Sequence, residues 1–197
     1  MSSKDLKIEC HNNDNASIIV RRREPLAQIT VTPMSACPAG ARTNEHKRVL
    51  FEFCCGDNSL IGQRAPSVCR VVRLTEDTDM TSESGLQYAL AELEKETAKN
   101  IMVWCSIPCT GGSQWQTQNL AYYRRVGDQA GLDKITNYWR QFSKLWKNFV
   151  IFAEAVMDIG GHVAIEWPTK CKYWFDRRVQ RFIRKHELQT ANLHGCM

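Results

Sequence analysis

From Val49 onward the apolar positions follow two alternating patterns. Short, nearly continuous apolar runs occupy Val49–Cys54, Val68–Leu74, Ile101–Ile107 and His162–Trp167, each the length of a strand. Between and after them the spacing changes to every third or fourth residue, the repeat of a helix with one buried face. Leu86, Leu90 and Leu93 mark such a helix over residues 84–99. The strongest repeat runs through Ile135, Trp139, Phe142, Trp146, Phe149, Phe152 and Val156 and stops at Gly160-Gly161, predicting one long helix. Its aromatics are read as core, because rings that stack on bases must face solvent. Phe175, Val179, Phe182 and His186 mark a last helix with Arg177, Arg178, Arg181, Arg184 and Lys185 on its outer side. Wholly apolar strands alternating with helices predict a parallel sheet covered on both faces. The fold class expected is therefore α/β: a Rossmann-like domain, its mostly parallel sheet flanked by helices.

Residues 1–45 fit neither pattern. They hold the polar run Asn12–Asn15, the triplet Arg21–Arg23, and Pro33 and Pro38 around a Ser-Ala-Cys stretch. Ser17–Val20 and Gln28–Thr32 could form edge strands; the rest reads as loop, so an irregular N-terminal arm is expected to precede the α/β domain of residues 46–197. The last residues, Leu193–Met197, read as the start of a further strand, as though the domain continued beyond them.

Composition narrows the partners. Of 197 residues 43% are hydrophobic, enough for a real core and too many for wholesale disorder. No run approaches the roughly 18 apolar residues of a membrane helix. The first residues lack an apolar signal core, and the cysteine count is odd at nine. Reduced thiols in an intracellular protein, cytoplasmic or nuclear, are therefore expected rather than a secreted disulfide framework. Residues 121–197 hold 13 Lys and Arg against 7 Asp and Glu, a surplus of six, whereas the first 120 hold 13 against 14. The positive charge is concentrated toward the C-terminus, which favours a polyanionic partner such as nucleic acid over a membrane.

In open parallel sheets ligands bind beyond the carboxyl ends of the strands. The chemically unusual residues lie there. The first run ends in Cys55-Gly56-Asp57, where a glycine lets a ligand approach the backbone. The second ends at Glu76, a carboxylate suited to the two hydroxyls of a ribose; Asp77 and Asp79 are better read as caps or solvent contacts. The third ends in Ser106-Ile107-Pro108-Cys109-Thr110-Gly111-Gly112-Ser113, a thiol held rigidly behind by proline with a mobile glycine pair ahead. The fourth carries Glu166. Cys54, Cys55, Cys105, Cys109 and Cys171 all fall near these ends, so a thiol cluster binding zinc or an iron–sulfur centre is an alternative.

The segments F-E-F-C-C-G-D-N-S, S-I-P-C-T-G-G-S and I-E-W-P, in this order, resemble those of the S-adenosylmethionine-dependent cytosine-5 DNA methyltransferases, written D-L-F-x-G-x-G-G, P-P-C-Q-x-F-S and E-N-V or E-N-P. The resemblance spans residues 49–185 and covers the cofactor and nucleophile half of that family. It implies S-adenosylmethionine as cofactor, with Phe53, Cys55, Gly56, Ser59 and Pro108 lining its site and Glu76 on its ribose. It implies Cys109 as the nucleophile that adds to C6 of cytosine, with Glu166 on the N3 edge of the ring. The base would be flipped into the pocket, with Ser113, Arg177, Arg178 and Arg181 meeting the substrate. DNA is the expected partner ahead of RNA. A methyltransferase-like domain that binds nucleic acid or protein without turnover is the other reading of the same motifs.

Overall fold

The computed structural model describes residues 16–21, 48–64, 69–96 and 100–193. Six strands, β1 (Ala16–Arg21), β2 (Arg48–Phe53), β3 (Arg70–Leu74), β4 (Asn100–Cys105), β5 (His162–Pro168) and β6 (Leu188–Leu193), form one sheet in the order β3-β2-β4-β5-β1-β6. The four strands β3, β2, β4 and β5 are parallel; β1 is antiparallel to both β5 and β6. The helices are α1 (Leu60–Arg64), α2 (Glu83–Glu94), α3 (Trp115–Val126), α4 (Gln129–Asp158) and α5 (Arg177–Lys185).

The fold is thus α/β with a parallel sheet flanked by helices, compatible with a Rossmann-like arrangement. Two expectations are corrected. Ser17–Val20 is a strand, but an internal one: it pairs with β5 on one side and β6 on the other, so residues 16–21 belong to the sheet of the α/β domain and not to an accessory arm. Residues 22–47, with Gln28–Thr32, Pro33, Pro38, Arg22 and Arg23, lie outside the described residues.

The second correction concerns the faces. Phe51 and Phe53 of β2, Val72 and Leu74 of β3, Val103 and Cys105 of β4, and Ile165 and Trp167 of β5 join one core with α2, α4 and α5. Of the alternate positions, Leu50, Glu52 and Ala164 are buried, and Val71, Arg73, Met102, Trp104 and Glu166 are partly buried. The steps β3→β4 and β4→β5 cross the sheet in the same direction, so right-handed crossovers put their helices on one face. Among the described residues the reverse step, β2→β3, supplies only the five-residue α1 to the other face. The apolar strands therefore have one dry face, and a second on which Glu52, Arg73 and Glu166 sit.

The 30-residue α4 is the spine of the core, as its repeat predicts. Phe152 meets Phe51 edge-on with ring centres 5.2 Å apart, Phe149 meets Phe53 at 5.2 Å, and Phe142 stacks on Tyr173 at 3.7 Å. Asn148, buried at 5% exposure, donates from Nδ2 to the carbonyls of Met80 (3.0 Å) and Ser82 (2.9 Å), tying the start of α2 to α4. Ser82 caps α2 by accepting from the Gly85 N–H, and Asp128 caps α4 by accepting from that of Gly131. Among the described residues no helix is long and apolar enough to cross a membrane.

Candidate active site at the strand ends

From β2 the chain steps outward to β3, then returns across β2 to β4 and continues to β5. Strand order reverses between β2 and β4, and a crevice opens beyond the carboxyl ends of strands at such a point. The segments carrying Cys55-Gly56, Glu76, Cys109 and Glu166 reach this edge of the sheet.

The first turn is fixed by its neighbours. Phe53 accepts from the Ser106 N–H at 3.0 Å, and the Cys54 N–H donates to Leu74 at 3.0 Å, so the turn is bonded to the ends of β3 and β4. Cys54 carries the left-handed backbone (φ 62°), a conformation that costs a non-glycine residue about 1–3 kcal/mol. Gly56 is exposed, and a Cβ added there would meet nothing within 4 Å, so the space beside it is open. Phe53 is wholly buried on the α4 face, and its ring cannot line this space as the resemblance implied. Ser59 is turned inward, its hydroxyl donating to Glu52.

Glu52 itself is 1% exposed on β2. Its cross-strand neighbour is Arg73, whose Nε lies 3.6 Å from Oε2 and whose Nη2 donates to the Gly56 carbonyl. Arg73 also hydrogen-bonds Cys55, while burial pushes the Cys55 thiol above its usual range. The sequence reading missed this Glu52–Arg73–Ser59 assembly. Its signal was present as opposite charges, Glu52 and Arg73, inside two mostly apolar runs.

Glu76 is exposed at the start of a 3₁₀ turn (Glu76–Thr78) directly after β3. Asp77 meets solvent, and Asp79 accepts from the N–H and hydroxyl of Thr81, as expected of solvent and capping residues.

After β4 the chain makes the Cys109 loop. Its Ile107 carbonyl accepts a buried 2.6 Å hydrogen bond from the Trp167 indole, which latches the loop to the end of β5. Pro108 is exposed and Cys109 half-buried. The following glycines are not a mobile pair. Gly111 and Gly112 form a buried 3₁₀ turn under Tyr138, Cys171 and Tyr173, and their backbone hydrogen-bonds the Tyr173 hydroxyl. The structural need for glycine here is close approach, since no side chain would fit. Ser113 accepts from the Trp115 N–H at 3.4 Å and so opens α3.

Glu166 lies half-buried on the second face of β5, and burial raises its carboxyl above the usual range. Its charge reaches Cys105 and Cys171. Cys171 also interacts electrostatically with Cys109. Burial pushes the Cys171 thiol up to about 12 and also raises Tyr173, so both stay neutral beside Cys109 at physiological pH.

Charge interactions link Cys54 with Cys55 and Cys105, and Cys171 with Cys109. Among the described residues no three His, Cys, Asp or Glu side chains converge to hold a metal ion, so the five-cysteine cluster does not assemble.

Of the three arginines assigned to substrate, Arg177 is exposed. Arg178 is engaged by Asp176 through Nε (2.9 Å) and Nη2 (2.8 Å) and lies over the Phe142 ring at 5.4 Å. Arg181 lines a groove of about 370 Å³ between α4 and α5 with Lys147 and Phe182, on the helical side of the sheet. Comparison with protein-family models, curated proteins and solved structures finds no match for this chain.

Proposed function

We propose that this chain is a nucleic-acid cytosine methyltransferase acting through a covalent adduct at Cys109, with S-adenosylmethionine as methyl donor. The observation that carries the reading is that Gly56, Glu76, Cys109 and Glu166 lie at or just beyond the carboxyl ends of four adjacent parallel strands, around the point where strand order reverses. The open space beside Gly56 and the exposed carboxylate of Glu76 fit the cofactor: the first leaves room for its methionine end, the second can accept from both ribose hydroxyls. Bound S-adenosylmethionine supplies an electrophilic methyl group.

The chain's own residues do the rest. The Cys109 sulfur, as thiolate, forms a bond to C6 of the base, and the electron pair of the C5–C6 double bond moves to C5. Glu166, which keeps its proton to higher pH than an ordinary glutamate, donates to N3 and makes the ring a better acceptor. After C5 takes the methyl group, a solvent water accepts the C5 proton, the C5–C6 double bond re-forms and the Cys109 thiolate leaves. Cys171 and Tyr173, both neutral, add no charge that would oppose the thiolate.

Titration calorimetry with S-adenosylmethionine tests the cofactor half of the reading. Saturable binding by the wild type that is lost in Glu76→Ala supports it, and no binding by the wild type removes it. A domain that binds nucleic acid without turnover is the second reading. It is favoured by one observation, that Phe53 is committed to the core and Ser59 to Glu52, which takes two of the implied cofactor contacts away.

A further inference from the structure

Trp115, at 69% exposure, and Phe175, at 77%, are more exposed than any other large apolar residue described. Trp115 is six residues after Cys109, and Phe175 four after Cys171. The two segments are packed together, since a Cβ on Gly112 would stand 2.6 Å from Cys171 Sγ and 2.9 Å from the Tyr173 ring. Chain reach then keeps Trp115 within about 10 Å of Gly112 and Phe175 within about 7 Å of Tyr173. Trp115 and Phe175 thus stand on two segments that pack against each other next to the Cys109 loop.

The helix that carries Trp115 has no fully buried residue. Trp115, Gln118, Tyr122 and Arg125 stand at helical spacing, and all four are exposed. The Arg125 guanidinium lies 5.6 Å from the Tyr122 ring centre. Charge on both segments is one-sided. Residues 105–127 contain Arg124 and Arg125 and no acid; residues 167–178 contain Lys170, Lys172, Arg177 and Arg178 against Asp176, which Arg178 already engages. Exposed rings set among cations with almost no carboxylate are the elements of a single-strand nucleic-acid surface, in which bases stack on aromatics and phosphates meet the cations. A duplex, whose bases are already stacked on each other, offers such rings nothing.

We propose that Trp115 and Phe175 are base-stacking posts beside the Cys109 loop, and that the chain binds single-stranded or locally unpaired nucleic acid through them. The inference deepens the methyl-transfer reading by naming the state of its substrate, and it takes only the reacting base from that reading.

Fluorescence anisotropy with a short labelled oligonucleotide, without S-adenosylmethionine, tests it. Single strands should bind roughly tenfold or more tighter than the same sequence as a duplex, and parallel DNA and RNA arms identify which single strand is preferred. Trp115→Ala and Phe175→Ala should each weaken single-strand binding roughly 5- to 100-fold, the range for one lost base stack, with the salt slope unchanged. Trp115→Phe should restore most of the affinity, and Lys172→Ala should lower the salt slope by about one. Because both rings are exposed, the alanine variants should melt with the wild type. Equal affinity for single strand and duplex, with both alanine variants unchanged, overturns the proposal. So does self-association that the alanine variants abolish in a protein that binds no nucleic acid, which would assign the rings to a protein contact. Stacking-dependent binding without methyl transfer would sink the enzymatic reading and leave this one standing; methyl transfer unaffected in both variants would do the reverse.

Discussion

Replacing Gly112 by alanine places a methyl group where the structure has no room. The new Cβ would stand 2.6 Å from Cys171 Sγ and 2.9 and 3.0 Å from Cγ and Cδ1 of Tyr173. Non-bonded heavy atoms settle at about 3.5–4.0 Å, so the neighbours must withdraw by about 0.5–1.4 Å. Neither can do so freely: Cys171 is 2% and Tyr173 1% exposed, and the Tyr173 ring is held by Phe142 at 3.7 Å, Trp139 at 4.9 Å and Trp167 at 5.6 Å. Overpacking of this kind costs about 1–3 kcal/mol. For a domain of this size that lowers the melting temperature by roughly 2–12 °C. Cys171→Ala removes the nearest atom, so in the double variant the two losses should sum to less than their separate values, by about 0.5–1.5 kcal/mol. Urea midpoints of the four proteins give the cycle. Iodoacetamide labelling of Cys109 should change in step, because the Gly112 N–H donates to the Cys109 carbonyl at 2.9 Å. Gly112→Ala with a wild-type midpoint, or strict additivity with Cys171→Ala, would refute the packing that locks the loop.

The same structure sets other expectations. Trp167→Phe leaves the buried Ile107 carbonyl without its 2.6 Å partner, and should lower stability by about 1–3 kcal/mol in chemical denaturation while slowing any reaction at Cys109. Arg73→Ala strands Glu52 at 1% exposure, and the loss should be up to about 3 kcal/mol, below the 3–5 of a wholly buried pair because the Arg73 side chain is 31% exposed; Glu52→Gln in the same chain should restore part of it. The third expectation is a pH dependence. Burial raises the Glu166 carboxyl, so its favourable contribution is complete below the ordinary glutamate value and is lost as pH rises through the raised one. Glu92, Glu154 and Asp176 are held below the usual carboxylate range by hydrogen bonds from Lys95, Lys185 and Arg178, and their contributions are lost in the opposite direction, as pH falls. The difference in stability between wild type and Glu166→Gln isolates the first effect. It should turn in favour of the variant as pH rises through the Glu166 transition, and a flat difference would contradict the burial of that carboxyl.

Much of the architecture was legible because repeat length and burial speak the same language. The four parallel strands and α4 follow from runs such as Ile101–Ile107 and from the three-to-four spacing of Ile135 through Val156. What escaped has identifiable causes. The helix α3 buries no residue fully, so it has almost no apolar repeat to detect. The internal place of β1 depends on pairing with strands near the far end of the chain, which no local pattern encodes. Which face the described long helices cover depends on crossover direction, not on any one strand. At the site, strand-end placement predicted where Gly56, Glu76, Cys109 and Glu166 would lie. The glycine pair misled because a buried close approach and a mobile hinge use the same residue, and only the neighbours Cys171 and Tyr173 tell them apart.

The proposed methyl transfer rests on Cys109 as a nucleophile toward cytosine. Incubation of the protein with S-adenosylmethionine and a single-stranded oligonucleotide containing 5-fluorocytosine, whose fluorine blocks the final loss of a proton from C5, should trap the adduct. The expected result is a denaturation-resistant protein–oligonucleotide species whose mass includes one methyl group, whose attachment maps to Cys109, and which is absent from Cys109→Ser. No adduct on DNA or RNA from a protein that binds both cofactor and oligonucleotide, or an adduct that persists in Cys109→Ser, would contradict it.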